Sequence, residues 1–381
     1  MSGPIRIALV TPGYPPRLGG VERHVEMLAT GAARAGFDVE VLTTDPTGRL
    51  PAVDRGGGVM VRRFSTLRGS DVFYLSPRLG WWLIRHAREF DLIHAHSYHA
   101  PLALFAAIAA KIHGVPFIVT PHYHGTGHTQ ARRLIHSVYR VFGAWMVRRA
   151  ALVICNSEAE CNLVRSDFGA RRPTAVILPG VDLQDLVDAL PFEDAGKVVL
   201  TGGRLEAYKQ VDRVVQAMTH LPVEYRLVIF GEGPARPSIE AVVQEHGLVE
   251  RVAILGRVSG ADLARWFRTA TVFVSLSRKE AFGLTVLEAA AAGSAVVCSD
   301  IPAYREMAER LAGYPVALVP LDARAPDIAA AIDSAATSQW PSAGDLPALP
   351  TWDAMVDQIT AAYRRALRTG SHTDAALRSG T

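Results

Sequence analysis

The chain is a double series of short β-branched runs alternating with helix-patterned stretches, and this constrains its fold more than any other feature. The first series is IRIALVT (5–11), VEVLTT (39–44), VMVRRF (59–64), LIHAH (92–96), PFIVTPH (116–122), ALVICNS (151–157) and TAVILP (174–179). Helical patterns lie between several of these, over 21–35, 76–89, 100–113, 131–149 and 158–167. The series restarts with KVVLTGG (197–203) and continues through YRLVIFG (225–231), VAILG (252–256), VFVSLS (272–277), AVVCSD (295–300) and ALVP (317–320). Near-continuous apolar strands alternating with helices specify a parallel sheet covered on both faces. With 381 residues there is chain for two such domains. The expected fold class is therefore α/β, with two doubly wound, Rossmann-like domains spanning 1–182 and 197–350. The acidic, Pro- and Gly-containing stretch between them is the expected join. WDAMVDQITAAYRRAL (352–367) reads as one amphipathic helix with Trp352, Met355, Val356, Ile359 and Tyr363 on its apolar stripe. This gives a helical element over 351–368, followed by a flexible tail over 369–381.

Charge is unevenly distributed. Residues 1–180 carry 21 Lys and Arg against 12 Asp and Glu, and residues 181–381 carry 19 against 25. A basic first half suits an anionic substrate or membrane surface. The three cysteines, Cys155, Cys161 and Cys298, are odd in number and fall mostly in strand-like runs, which fits a reduced, cytoplasmic protein. No secretory leader pattern opens the sequence. The longest uncharged apolar run, Ala100–Ala110, is too short to span a bilayer.

Ligands of doubly wound sheets bind beyond the carboxyl ends of the strands, and three loops there carry chemistry. SRKEAFGLTVLEAAAAG (277–293) sets Glu280 and Glu288 eight positions apart among small and apolar residues. Its helix should begin near Gly283–Thr285, with unpaired N–H groups at Phe282, Gly283 and Leu284 that suit a phosphate. GRLEAYK, after the strand KVVLTGG, offers Arg204 and Lys209, one forked and one point cation suited to a diphosphate. TPGYPPRLGGVERHV (11–25) places Gly19 and Gly20 at the start of a helix, where backbone can approach a ligand closely. A sugar–diphosphate–nucleoside has the shape these groups would meet. The motif G-x-G-x-x-G of dinucleotide-dependent oxidoreductases is missing after the first strand.

GYPPRLGGVERHV (13–25), DLIHAHS (91–97), VTPH (119–122), PGVD (179–182), GGRLEAYK (202–209), FGEGP (230–234) and EAFGLTVLEAAAAG (280–293) together resemble the retaining family 4 glycosyltransferases of GT-B fold. The resemblance implies two Rossmann-like domains facing a cleft, with the C-terminal helix crossing back to the first. It implies that Arg204 and Lys209 grip the donor diphosphate, that Glu280 lies near the donor sugar, and that Glu288 binds ribose hydroxyls. Phe282–Leu284 match backbone donors, His122 a histidine near the reaction centre, and Arg257 and Val258 the surroundings of the base. It implies a nucleotide-sugar donor, an acceptor that is a small molecule or lipid-linked glycan, no cofactor and no metal. Nucleic acid is not an expected partner. Two departures from the family pattern are Gln210 in place of the glycine that follows the basic loop, and Gly293-Ser294-Ala295 after the second glutamate. A noncatalytic sugar-nucleotide-binding protein and a GT-B-fold epimerase are the alternative functions.

Two further features are open. His94, His96, His99, His122, His124 and His128 cluster at two strand ends but lack a carboxylate or thiolate at metal-ligand spacing, so acceptor binding is the better reading. The segment 131–150 sets Leu134, Val138, Val141 and Trp145 on one seam, flanked by Arg132, Arg133, Arg140, Arg148 and Arg149. It suits a packed helix or a peripheral contact with an anionic membrane at the inner face.

Overall fold

A computed structural model of the protein describes residues 3–17, 19–67, 74–125, 130–169, 173–193, 196–311, 313–314, 316–338 and 349–378, with side chains described for all but 130–138 and 369–378. It divides into two compact units, Met1–Pro179 with Trp352–Thr381, and Gly180–Thr351.

In the first unit the strands are β1 (Arg6–Val10), β2 (Asp38–Asp45), β3 (Val53–Gly56), β4 (Val59–Ser65), β5 (Leu92–His96), β6 (Phe117–Thr120), β7 (Leu152–Cys155) and β8 (Thr174–Val176). Helices α1 (Gly20–Arg34), α2 (Pro77–His86), α3 (Pro101–His113), α4 (Gln130–Arg149) and α5 (Glu158–Phe168) connect them. The sheet order is β3-β4-β2-β1-β5-β6-β7-β8. All pairs are parallel except β3 with β4. The sequence reading missed β3. Its four residues, VDRG, are all exposed, so it has no apolar pattern. It forms an edge hairpin through the turn at Gly57 and Gly58.

In the second unit the chain runs through α6 (Leu183–Asp188), β9 (Lys197–Gly202), α7 (Val211–Ala217), β10 (Tyr225–Phe230), α8 (Arg236–Glu245), β11 (Val252–Gly256) and α9 (Gly260–Thr269). It continues with β12 (Val272–Ser275), α10 (Leu284–Ala291), β13 (Ala295–Ser299), α11 (Pro302–Arg310), β14 (Val316–Val319) and α12 (Ala325–Ala336). The sheet is parallel in the order β11-β10-β9-β12-β13-β14. Strand cores are almost wholly apolar, as two-sided burial requires: Val199, Leu227, Ile229, Val272, Val274, Ala295 and Val297 build one cluster with α7, α8 and α12.

The final helix, α13 (Trp352–Arg378), returns to the first unit. Trp352, Met355, Val356, Ile359 and Tyr363 are all buried. Tyr363 stacks edge-on with Phe37 at 6.0 Å and its hydroxyl meets His94 Nδ1 at 2.7 Å.

Two boundaries differ from the sequence reading, and the inward face of one helix becomes clear. The described part of the expected join, 182–196, belongs to the second unit: α6 packs on α9 and α10, and Phe192 stacks on Trp266 at 4.4 Å while its N–H donates to Thr269 Oγ1 at 2.8 Å. The tail expected over 369–381 is helical as far as Arg378, because a lone Gly370 does not stop a helix that Ala375, Ala376, Leu377 and Arg378 continue. Among the described residues of α4 the buried positions are Gly143, Met146 and Val147, whereas Val141 is 71% exposed, so the apolar seam drawn through Val141 and Trp145 is not the core face. His128 and the side chains of Arg132, Arg133, Leu134 and Val138 lie outside the described residues. Among the described residues no helix is long and apolar enough to cross a membrane.

Candidate active site

Both sheets reverse their winding direction at one point, between β1 and β5 and between β9 and β12. Loops leaving the two strands on either side of such a point diverge and leave a crevice. Gly19 and Gly20 follow β1 in the first unit, and Arg204, Lys209, Glu280 and Phe282–Leu284 follow β9 and β12 in the second, whereas His122 and Arg257 with Val258 follow the more distant β6 and β11.

In the second unit, Lys209 follows β9 and Glu280 follows β12. They are 71 positions apart, yet Lys209 Nζ lies 2.5 Å from Glu280 Oε1, with side chains only 16% and 15% exposed. Burial by itself would lower the Lys209 ammonium, but the Glu280 carboxylate overcomes it and holds the pKa above the ordinary lysine value. Arg204, exposed on the same loop, is close enough for its charge to act on Lys209 and Tyr208. Glu288 is half-buried in the second turn of α10.

Gly283 caps α10 with φ 99°, a left-handed conformation that favours glycine, and a Cβ there would lie 2.6 Å from the Tyr304 ring. The Tyr304 hydroxyl meets Ser275 Oγ at 2.6 Å and Glu280 Oε1 at 3.4 Å. Tyr304 thus props both the helix start and the carboxylate. Sequence reasoning missed it, since a lone tyrosine in an amphipathic helix carries no signal. Phe282 is buried and Leu284 half-buried beside the helix end.

Gly231, in FGEGP, has φ 101° and packs on the Gly203 carbonyl, which a Cβ would meet at 1.8 Å. The two glycine loops therefore press backbone on backbone, and their glycines serve each other. Arg257 and Val258 lie just past β11, where exposed Arg257 pairs with Glu232 at 3.3 Å. Gln210 has φ 52°, which shows why the family pattern prefers glycine at this position.

In the first unit, Gly19 precedes α1 and Gly20 opens it, with open space where a Gly20 Cβ would be. His122, with φ 47°, follows β6. Its Nε2 meets His96 Nδ1 at 3.3 Å, and its Nδ1 faces Asn156 Nδ2 at 3.0 Å. Asn156 in turn leans on buried Glu160, whose carboxylate accepts from Asn156 N at 2.7 Å, Asn156 Nδ2 at 3.0 Å and Tyr123 N at 2.6 Å. If Asn156 donates, His122 carries its proton on Nε2 and passes it toward His96, which leaves His96 Nε2–H buried and unpartnered.

His24 on α1 completes the cluster. Its ring sits 5.5 Å from His96 and 5.1 Å from His122, and neither of its buried nitrogens has a partner. Burial lowers its pKa to about 4, that of His94 to about 3, and those of His96 and His122 well below 6.5. All four are neutral near pH 7. His94 is satisfied by Tyr363 and Thr120. His24, His96 and His122 are the one group among the described residues whose ligand atoms lie close enough, within 4.8 Å, to share a metal ion. They are three neutral imidazoles with no carboxylate or thiolate, a set that zinc accepts with a water in the fourth position. The sequence reading overlooked His24, because its link to the strand-end histidines is purely spatial. His99 and His124 stack on each other at 5.1 Å.

Comparison with known proteins decides the family. The model of Glycosyltransferase Family 4 matches residues 18–185, and that of Glycosyl transferases group 1 matches residues 184–343. The chain is a family 4 glycosyltransferase of GT-B type. This glycosyltransferase is 28% identical over 327 residues to the D-inositol 3-phosphate glycosyltransferase of Xylanimonas cellulosilytica, covering 75% of this chain and 76% of the relative. It is 27% identical to the GDP-mannose:cellobiosyl-diphosphopolyprenol alpha-mannosyltransferase of Komagataeibacter xylinus, covering 93% of this chain and 91% of the relative. The sucrose-phosphate synthase structure from Thermosynechococcus elongatus superposes with a TM-score of 0.76 at 22% identity, over 96% of this chain and 100% of that one, and shows the shared fold. A nucleotide-sugar donor goes with this family.

Proposed function

We propose that the enzyme transfers a hexose from a UDP- or GDP-sugar to an acceptor hydroxyl, retains the anomeric configuration and needs no metal. The observation that carries the reading is the Lys209–Glu280 pair at the turning point of the second sheet, beside the Gly283-led start of α10. Arg204, Lys209 and the helix end supply positive charge to the departing diphosphate. Phe282, Gly283 and Leu284 offer backbone to the sugar and phosphate, Glu288 binds ribose, and Arg257 and Val258 border the base. Gly19 and Gly20 let α1 approach the donor, and neutral His122 contacts the sugar. The bond from the anomeric carbon to the diphosphate oxygen breaks, and its electron pair leaves with the diphosphate. The acceptor oxygen bonds that carbon from the same face while its proton passes to the diphosphate. Glu280 is engaged by Lys209 and Tyr304, which supports sugar positioning over nucleophilic attack.

Two relatives have names that carry a phosphorylated polyol and a diphosphopolyprenol, and the basic first half suits either kind of anionic acceptor. The acceptor is then a phosphorylated small molecule or a lipid-linked glycan, used at the cytoplasmic face of a membrane. The test is a melting-shift screen with UDP, GDP, ADP and TDP, followed by NMR of the product formed from the matching sugar donor. No shift with any of them, or an inverted anomer, overturns the reading.

Glu288→Gln is expected to raise the donor KM about tenfold with kcat nearly unchanged, because ribose contacts are made equally in ground and transition states. Steady-state kinetics check this, and a kcat loss at constant KM contradicts the assigned role. Turnover is expected to survive EDTA, since fixed cations stand where a metal would and the chain has no Asp-x-Asp motif. Loss on chelation, restored by magnesium or manganese, disproves metal independence.

A further inference from the structure

Helices α2, α3 and α4 pack side by side in the first unit. Together they carry eight Lys or Arg residues and no Asp or Glu. Their inner faces are already used: Leu79, Leu83, Leu102, Ala106, Met146 and Val147 are core residues. The outer side is nevertheless apolar. Trp81 is 57% exposed, Ile84 39%, Ile112 58%, Val141 71% and Phe142 51%.

These residues form a continuous band. Trp81 and Ile84 line a groove between α2 and α3 together with Phe105 and Ile108, and Ile112 is one turn beyond Ile108. His113 Nε2 meets the Ile84 carbonyl at 2.7 Å and ties the two helices together. On the other side of α3, Lys111 lies 5.7 Å from the Trp145 ring, and Val141 and Phe142 stand one turn before Trp145 on α4. Cations edge the band. Arg85 stacks on Trp81 at 4.3 Å and Arg149 lies 5.9 Å from Trp145, while Arg78, Arg140 and Arg148 are also exposed.

Isolated exposed apolar residues are ordinary on a protein surface, but a contiguous band edged only by cations on its own helices is not. Its two chemistries match the two layers of an anionic bilayer: arginines and lysine meet headgroup phosphates, while tryptophan, isoleucine and phenylalanine enter the acyl boundary. We propose that the outer face of α2, α3 and α4 docks the protein on an anionic lipid bilayer. The inference places the contact on three helices rather than on one seam of 131–150, and it does not rest on the transfer reaction.

The test is co-sedimentation with phosphatidylcholine vesicles, with and without phosphatidylglycerol. The protein should bind the anionic vesicles, and binding should weaken as salt rises. Two variants attack the face independently: Trp81→Ser with Ile112→Ser, and Arg85→Glu with Lys111→Glu and Arg149→Glu. The reversed-charge variant should reduce partitioning at least tenfold, on the basis of roughly fivefold per lost charge contact, and the serine variant should reduce it by removing the apolar groups that enter the acyl boundary. Melting curves and the nucleotide-induced melting shift show that each is folded. The reversed-charge variant changes only exposed groups and remains informative if the Trp81 variant unfolds. Three results overturn the proposal: no binding to anionic vesicles, folded variants that bind as the parent does, or a self-associating protein whose oligomer, and not its vesicle binding, is lost in the Trp81 variant.

Discussion

Replacing Lys209 or Glu280 with alanine is expected to lower turnover by about 10²–10³-fold, the usual cost of removing one preorganised charge from a transfer site. The two act as a unit. Lys209 is held charged by Glu280, and Glu280 is held in place by Lys209 and Tyr304. Losing the carboxylate frees the ammonium to move off the diphosphate, and losing the ammonium leaves a largely buried carboxylate facing the donor. Each single variant should therefore melt below the parent, because it strands one charge among buried groups. Lys209→Ala with Glu280→Ala removes both and should recover part of the melting temperature while staying inactive. Turnover measured beside melting curves separates the outcomes. Near-parental turnover in a folded single variant sinks the donor-site assignment. A double variant less stable than the sum of the singles would contradict the pairing argument.

That pairing marks where sequence reasoning reaches its limit. Strands such as β12, read within VFVSLS and observed over Val272–Ser275, were legible because two-sided burial writes a nearly continuous apolar run. Edge strand β3 was not, because an exposed four-residue strand has no such run. Arg204, Lys209, Glu280 and Glu288 stood out one by one as charges in small-residue loops. Their grouping depends on β9 lying beside β12, a neighbour relation that chain order does not state. Tyr304 and His24 escaped notice for the same reason: each acts through packing against a distant segment, Gly283 in one case and the His96–His122 pair in the other. The inward face of α4 is open in the sequence because Arg, Val, Phe and Trp recur on all sides of the helix. Only the packing of Met146 and Val147 into the core shows which side is inward.

Lowering the pH from 7 to 5 is expected to destabilise the first unit sharply. His24, His94, His96 and His122 are buried and neutral, with folded-state pKa values below the ordinary 6.5. Well above pH 6.5 neither the folded nor the unfolded chain binds a proton at these sites, so they contribute no pH dependence there. Below it the unfolded chain takes up a proton at each histidine while the folded chain does not, until about pH 4 for His24. Stability therefore falls as pH drops through this window. For His24 the loss at pH 5 is about 2 kcal/mol, from its shift of 6.5 to about 4. Glu160 works the other way. Burial outweighs its hydrogen bonds and raises its pKa to about 7, so the folded chain gains a proton there before the unfolded chain does. One opposing proton does not offset four. Melting temperatures measured from pH 7 to 5 should fall, and His24→Leu should flatten the slope by about one proton. His94→Gln, which keeps a polar group near Tyr363 and Thr120, gives an independent reading should His24→Leu fail to fold. A melting temperature constant over that range, or a slope unchanged in both folded variants, would mean that the cluster is wet and already accessible to protons.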